Sequence, residues 1–266
     1  MADIFQSTMM MGVALLHKCN FNCAHCGYLY VGESDDHIVK PGYRVTWDQM
    51  QKCIADCNSI EDASWSMLFT GGEPTLWKEG KLTFIDLLLA VEKAGIYPSF
   101  NTNGSYFDDL EKCRTFFTRY LEKAKLTLQI FISIDNFHNN YDREKGRSLC
   151  LDNVVKILDE IPADKKELFK IHVITIVTKD PDSTLPQEMK DYYSPHGITF
   201  GDFPMMPIGR AKELVDLLPD APRFTPPPPP PETDKKRNYG AVLMGDAYYR
   251  NNVKVGELGR LAHMYD

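Results

Sequence analysis

No stretch of the sequence reaches eighteen apolar residues, so none is long enough to cross a bilayer as a helix. Positive charge is in deficit: 30 Lys and Arg stand against 37 Asp and Glu, a formal net charge of −7. A chain of that sign has no basic footprint for a phosphate backbone, and no nucleic-acid partner is expected. Cysteine is sparse, seven in 266 residues, and absent after Cys150. An odd count excludes a complete disulfide set. The N-terminal "MADIFQSTMMMGVALLHKC" has only a short apolar run, and an acidic residue where a secretory signal carries positive charge. A soluble, cytoplasmic protein with no membrane partner is expected, and in a reducing compartment cysteines serve metals or catalysis rather than disulfides.

The composition is that of a globular chain, 43% hydrophobic and 25% charged, with room for one large domain or one domain and an appendage. Strand-like and helix-like segments alternate about six times. Strands are expected at 9–17, 64–70, in "YPSFNTNG", and at 126–135, 168–178 and 198–205. Helices are expected at 46–60, 84–95, 108–124 and 149–161, with a short helix or loop in "PQEMKDYYSPHG". Thr46 suits a helix N-cap and Gly95 a helix C-terminus. The alternation specifies an α/β parallel fold, either a partial (β/α)6 TIM-like barrel or a doubly wound sheet. In both, functional residues gather at the C-terminal edge of the strands.

The pattern breaks near residue 211. Six consecutive prolines, Pro226 to Pro231, exclude helix and central strand and read as an extended spacer or a docking segment. Beyond them, turn residues at Gly245-Asp246 and Asn251-Asn252 suggest a small hairpin packing back on the barrel. The expected division is a barrel over 1–210 and a short C-terminal extension over 211–266.

Polar signatures fall at four successive expected strand ends: "HKCNFNCAHC", "TGGEPTL", "NTNG" and "SID". Cys19, Cys23 and Cys26 lie within eight residues. Chance would supply a fixed three-cysteine pattern only about 0.005 times per chain of this composition, so three incidentally buried thiols are set aside. Zinc wants a fourth ligand, usually from a second paired segment, and no C-x-x-C exists among Cys53, Cys57, Cys113 and Cys150. His17 or His25 would make an unusually local fourth ligand. Three thiolates on a four-iron cluster leave one iron open, where a small molecule can coordinate. Cys53 and Cys57, one helical turn apart, and Cys113 and Cys150 on helices read as buried structural thiols.

C-x-x-x-C-x-x-C after the first strand, with Gly-Gly-Glu-Pro after the second, resembles the radical S-adenosylmethionine (SAM) superfamily over about residues 9 to 210. The resemblance implies a partial (β/α)6 barrel and two cofactors, a [4Fe–4S] cluster on Cys19, Cys23 and Cys26, and SAM on the open iron. It implies electron donation to SAM, cleavage to methionine and a 5′-deoxyadenosyl radical, and hydrogen abstraction from a substrate. By the same resemblance Gly71, Gly72 and Glu73 meet the SAM ammonium. Asn103, Ser133 and Asp135 offer polar contacts to its carboxylate or ribose, Arg143 or Arg147 a guanidinium for the carboxylate, and His25 a ring for adenine. "PIGRA" is similar to the sixth-strand segment of peptide-modifying members that carry a cysteine-rich extension called SPASM, whose auxiliary-cluster cysteines are missing here. "SIDNF" is broadly similar to the "SxDxF" of the viperin family.

A peptide or peptide-like substrate is therefore expected, with crosslinking, epimerisation or oxidation as the reaction; a small molecule or nucleotide is the alternative. The electron donor would be a reductase or a flavodoxin- or ferredoxin-type protein. Two other classes stay open on the residues: a zinc-binding protein, and an iron–sulfur electron carrier or sensor.

Overall fold

A computed structural model of the protein describes residues 9–27, 42–60, 63–206, 209–218, 241–244, 247–250 and 253–257. The chain forms two compact units, their boundaries falling between Lys18 and Cys19 and between Phe100 and Asn101.

The first unit begins with β1 (Met9–Leu16), α1 (Trp47–Asn58) and β2 (Trp65–Gly71). A ribbon of β3 (Lys78–Glu79) and β4 (Leu82–Thr83) follows, then α2 (Phe84–Lys93) and β5 (Tyr97–Thr102). β1 pairs in parallel with β2, and β2 with β5. All of β1 but Met10 is buried, the burial on both faces that a central parallel strand requires. α1 opens on a capping box: Thr46 Oγ1 accepts from Gln49 N at 3.2 Å, and Gln49 Oε1 accepts from Thr46 N at 2.8 Å. α2 lays Leu87, Leu88 and Val91 inward and ends before Gly95, whose φ of +80 suits the turn out of the helix. Phe84 sits edge-to-face with Phe69 and Phe100, centroids 5.6 and 5.0 Å apart.

The second unit carries α3 (Leu110–Leu121), β6 (Leu128–Ser133), α4 (Leu149–Glu160), β7 (Phe169–Val177), α5 (Gln187–Tyr193) and β8 (Ile198–Pro204). β6 pairs in parallel with β7, and β7 with β8. Leu128, Ile130 and Ile132 alternate inward along β6. Phe107, Phe116, Phe117, Tyr120 and Phe169 form an aromatic cluster beneath α3. Asp109 caps α3 by accepting from Glu111 N and Lys112 N at 3.0 and 3.1 Å.

Each unit thus supplies three parallel strands alternating with helices, six in all, the strand set of an α/β partial barrel. Every expected helix and strand up to residue 205 is present, within a few residues of the expected ends. Among the described residues no helix is long and apolar enough to cross a membrane.

Three further strands, β9 (Ala241–Met244), β10 (Ala247–Arg250) and β11 (Val253–Glu257), belong to the first unit. β9 runs parallel to β1 through Met11–Val13, β10 antiparallel to β9, and β11 antiparallel to β10. The C-terminal segment therefore takes the edge of β1 that β2 leaves open. The proline run 226–231 and the turn residues 245–246 and 251–252 lie outside the described residues.

Candidate active site

The chain leaves β1 at Leu16 and enters an irregular loop that holds all three clustered cysteines. Cys23 is buried, Cys19 and Cys26 are half-buried, and none of the seven cysteines is in a disulfide. The loop winds tightly enough for Cys26 N to donate to Cys23 O at 3.3 Å. Phe21 N points at Cys19 Sγ at 3.3 Å, and Asn103 Nδ2 at the same sulfur at 3.7 Å. Asn103 also donates to Asn20 Oδ1 at 3.0 Å, and Asn20 Nδ2 to Ser105 Oγ at 2.8 Å. The "NTNG" signature thereby lies against the first cysteine.

The third cysteine has its own support. Arg210 N donates to Cys26 O at 3.0 Å, and the Arg210 guanidinium bonds Asn22 Oδ1. Gly209 has φ +55, and a Cβ there would lie 2.5 Å from Cys26 O. Only glycine permits both that conformation and that approach. The described part of "PIGRA" is thus packed on the cysteine loop.

In the first unit, Gly71 to Glu73 run along the backbone just before the cysteines. Gly72 N donates to Leu16 O at 2.6 Å and Glu73 N to Lys18 O at 2.8 Å. A Cβ on Gly72 would lie 2.1 Å from Lys18 O, closer than any side chain tolerates. Glu73 is 1% exposed, and its Oε1 accepts from Thr75 N and Thr75 Oγ1 at 3.1 and 2.7 Å.

After β6 the chain turns tightly at Asp135, which is fully buried. Its Oδ1 accepts from the backbone of Phe137 and His138, both at 2.9 Å, and lies 2.9 Å from His138 Nδ1. Burial works against a charged His138, but the bond to Asp135 and the nearby Cys23 outweigh it and raise its pKa to about 9. Burial likewise opposes the Asp135 carboxylate, and His138 more than offsets it, holding Asp135 below the usual carboxylate range. His25 packs on Phe137 and His138, centroids 4.5 and 5.2 Å away. Burial lowers its pKa to about 4 against the opposing pull of Asp135, so it is a neutral ring, and its Nδ1 is buried without a partner. Ser133 contributes its carbonyl, which accepts from Asn140 Nδ2 at 2.7 Å; the same amide donates to Asn103 O at 3.0 Å.

Arg143 and Arg147 are engaged within the second unit. Arg143 Nη1 donates to Asp182 O, Thr184 O and Tyr141 Oη at 2.7 to 3.2 Å. Arg147 donates twice to Asp152 Oδ1, at 2.9 and 2.7 Å, and lies 3.9 Å over the Tyr192 ring.

Sequence reasoning singled out Cys19, Cys23, His25, Cys26, Asn103 and Asp135, which the second unit brings together. It missed His138, Asn20 and Asn140. An Asp-x-x-His pair at a strand end was the available signal for His138, because residues three apart in such a turn face each other. For the two asparagines no signal existed, since their partners are distant in sequence.

A parallel α/β fold with a three-thiol loop after its first strand describes a metal-cluster protein of the partial-barrel type. The radical SAM superfamily model matches residues 13–191, and the chain belongs to that superfamily. Comparison with curated proteins finds no match. Among solved structures the chain is similar to a histidine-tagged form of anSMEcpe with bound AdoMet, at 19% identity and a TM-score of 0.46, over 73% of this chain and 50% of that one. It is similar to native anSMEcpe with bound AdoMet and the Cp18Cys peptide, at 18% and 0.47, over 74% and 51%. It is also similar to Streptococcus suis SuiB bound to precursor peptide SuiA, at 12% and 0.47, over 98% and 65%. The chain spans about half the length of the anSMEcpe chains.

The superfamily's cofactors are a [4Fe–4S] cluster and SAM. The residues fit them: three unbridged thiols share one loop, with Phe21 N–H and the Asn103 amide aimed at Cys19 sulfur. Such donors suit a ligating thiolate and set its electronics.

Proposed function

We propose that the chain is a radical SAM enzyme acting on a peptide or peptide-like substrate. The observation that carries the chemistry is the loop after β1, where three thiols are gathered with backbone and amide donors directed at sulfur. Cys19, Cys23 and Cys26 would hold the cluster. When bound, it supplies one electron for cleavage of SAM to methionine and a 5′-deoxyadenosyl radical, which abstracts hydrogen from the substrate.

The chain's own residues bind and orient. Gly71 and Gly72 keep the end of β2 against the backbone of Leu16 to Lys18, and Glu73 offers an acidic partner for the SAM ammonium. Asn103, which points its amide at Cys19, would meet the SAM carboxylate or ribose, and His25 would stack on adenine. Asp135 acts through the turn it caps and through His138. The guanidinium of Arg143 is held by the Asp182 carbonyl and that of Arg147 by the Asp152 carboxylate. Packing of Gly209 and Arg210 on Cys26 ties the segment similar to that of peptide-modifying members to the thiol loop, which supports a peptide substrate. A one-electron reductase or a small flavodoxin- or ferredoxin-type protein would supply the electron.

The test is anaerobic reconstitution with iron and sulfide, then dithionite and SAM. About four irons per chain and release of 5′-deoxyadenosine are expected, with release abolished by Cys→Ala at 19, 23 or 26. Stoichiometric zinc without iron, or release that survives all three substitutions, would overturn the reading.

A further inference from the structure

Asn140 stands in the loop after β6, and its Nδ2 donates to Ser133 O at 2.7 Å and to Asn103 O at 3.0 Å. One amide group thus straps the ends of β6 and β5 together. Both acceptors are carbonyls, so turning the amide over would set Oδ1 against two oxygens, and its orientation is fixed. Oδ1 is then left buried with no donor among the described residues, a cost that an aliphatic side chain would not carry. The residue bears that cost for the two bonds its nitrogen makes. Its backbone is held as firmly. Asn140 O accepts from the buried Ser148 hydroxyl at 3.0 Å. Asn139 before it has φ +49, the left-handed region, which no other non-glycine among the described residues occupies.

What the strap holds is Asn103. The Asn103 side chain accepts from Ser105 N at 3.0 Å, donates to Asn20 Oδ1 at 3.0 Å and points its amide at Cys19 Sγ at 3.7 Å. The peptide that carries the Asn103 carbonyl is planar, so a bond on its oxygen resists rotation and steadies the Cα from which that side chain departs. We propose that Asn140 is a positioning residue for SAM binding, acting through Asn103, whose amide it keeps aimed at the thiol loop and at the SAM carboxylate or ribose. The inference rests on the reading of Asn103 as a SAM contact given above. A residue that served the fold alone would act equally with or without the Asn103 side chain; a positioning residue does not.

The experiment measures equilibrium SAM binding on anaerobically reconstituted protein across a double-mutant cycle, with iron content and the thermal midpoint taken for every variant. Asn140→Leu removes both bonds at nearly constant volume and should weaken SAM about tenfold. Asn103→Ala should weaken it at least as much, and adding Asn140→Leu to Asn103→Ala should weaken it little further. Asn153→Leu is the matched control, since Asn153 Nδ2 also donates to two carbonyls, Phe107 O and Asp108 O at 2.9 and 3.0 Å. It should lower the midpoint and leave SAM binding at the wild-type level. Wild-type affinity in Asn140→Leu at full iron content overturns the positioning role while leaving the site reading intact. So does a loss that persists undiminished in the Asn103→Ala background, or an equal loss in Asn153→Leu. Should Asn140→Leu fail to fold, Asn140→Ser, whose single hydroxyl makes at most one of the two bonds, runs the same cycle and decides by the same outcomes. Asn103→Ala that binds SAM as wild type does, or wild-type protein that binds none, overturns the reading and the inference together.

Discussion

Gly72 and Lys18 meet backbone to backbone: the Cβ that glycine lacks would lie 2.1 Å from the Lys18 carbonyl oxygen. Lys18 is the last residue before Cys19 in the sequence, so this contact fixes the backbone at the end of the first unit's N-terminal segment. Glu73 N donates to the same oxygen at 2.8 Å, which fixes the strand end in place. Gly72 is therefore a steric requirement for packing the end of β2 on the backbone of Leu16 to Lys18.

Gly72→Ala should for this reason damage the protein before any cofactor is considered. The clash is with backbone, which cannot rotate away, and overpacking of this kind costs roughly 1–3 kcal/mol or more. Gly80 is the control, since it has φ +58 but open space around its missing Cβ, so Gly80→Ala carries only the conformational penalty. The denaturation midpoint should fall clearly further in Gly72→Ala than in Gly80→Ala, with iron retention after reconstitution falling too. Equal midpoints and equal iron would show that the end of β2 yields easily.

Much of this was readable in the residues because hydrophobic runs and strand-end motifs are local signals. "MMMGVALL" is apolar on both faces, so it reads as a central parallel strand, and three cysteines in eight positions leave few alternatives. Contacts between distant segments were not readable. Asn140 joins the ends of β5 and β6 through two carbonyls, and nothing in "HNNYD" marks that amide among its neighbours. Arg143 and Arg147 looked equivalent as charges, and only the fold gives Arg147 the Asp152 carboxylate and the Tyr192 face. β9 falls in the expected tail hairpin, but its partner was hidden for another reason. A four-residue strand beyond a proline run has too little pattern to announce that it pairs with β1.

The seven cysteines should separate by reactivity. Cys53, Cys57 and Cys113 are 0% exposed and Cys150 only 1%, and burial pushes the Cys113 thiol up to about 12. Thiolate is the reactive form, so buried Cys113 carries almost none of it at neutral pH. In chelator-treated folded protein, iodoacetamide followed by peptide mass analysis should modify Cys19 and Cys26 first. Cys23 should follow, and the four helix cysteines should react only on unfolding. Reconstitution with iron and sulfide should protect the first three alone. Early modification of Cys113 in folded protein would contradict the packing of α3.

Glu73 separates a role in cofactor binding from one in the fold. Its Oε1 accepts from Thr75 N and Thr75 Oγ1, and a glutamine oxygen can accept both bonds, so Glu73→Gln should leave the turn after β2 and the thermal midpoint nearly unchanged. What it removes is negative charge for the SAM ammonium. A charge-assisted hydrogen bond contributes about 1.5–3 kcal/mol, and 1.4 kcal/mol corresponds to about tenfold in affinity. Equilibrium binding of SAM to the reconstituted variant should therefore weaken about tenfold or more, with iron content unaltered. Thr75→Val is the complement: it removes one bond to Oε1 and keeps the charge, so it should lower the midpoint and weaken SAM far less. If Glu73→Gln binds SAM as wild type does, while Glu73→Ala lowers the midpoint, the carboxylate serves the turn and another residue meets the ammonium.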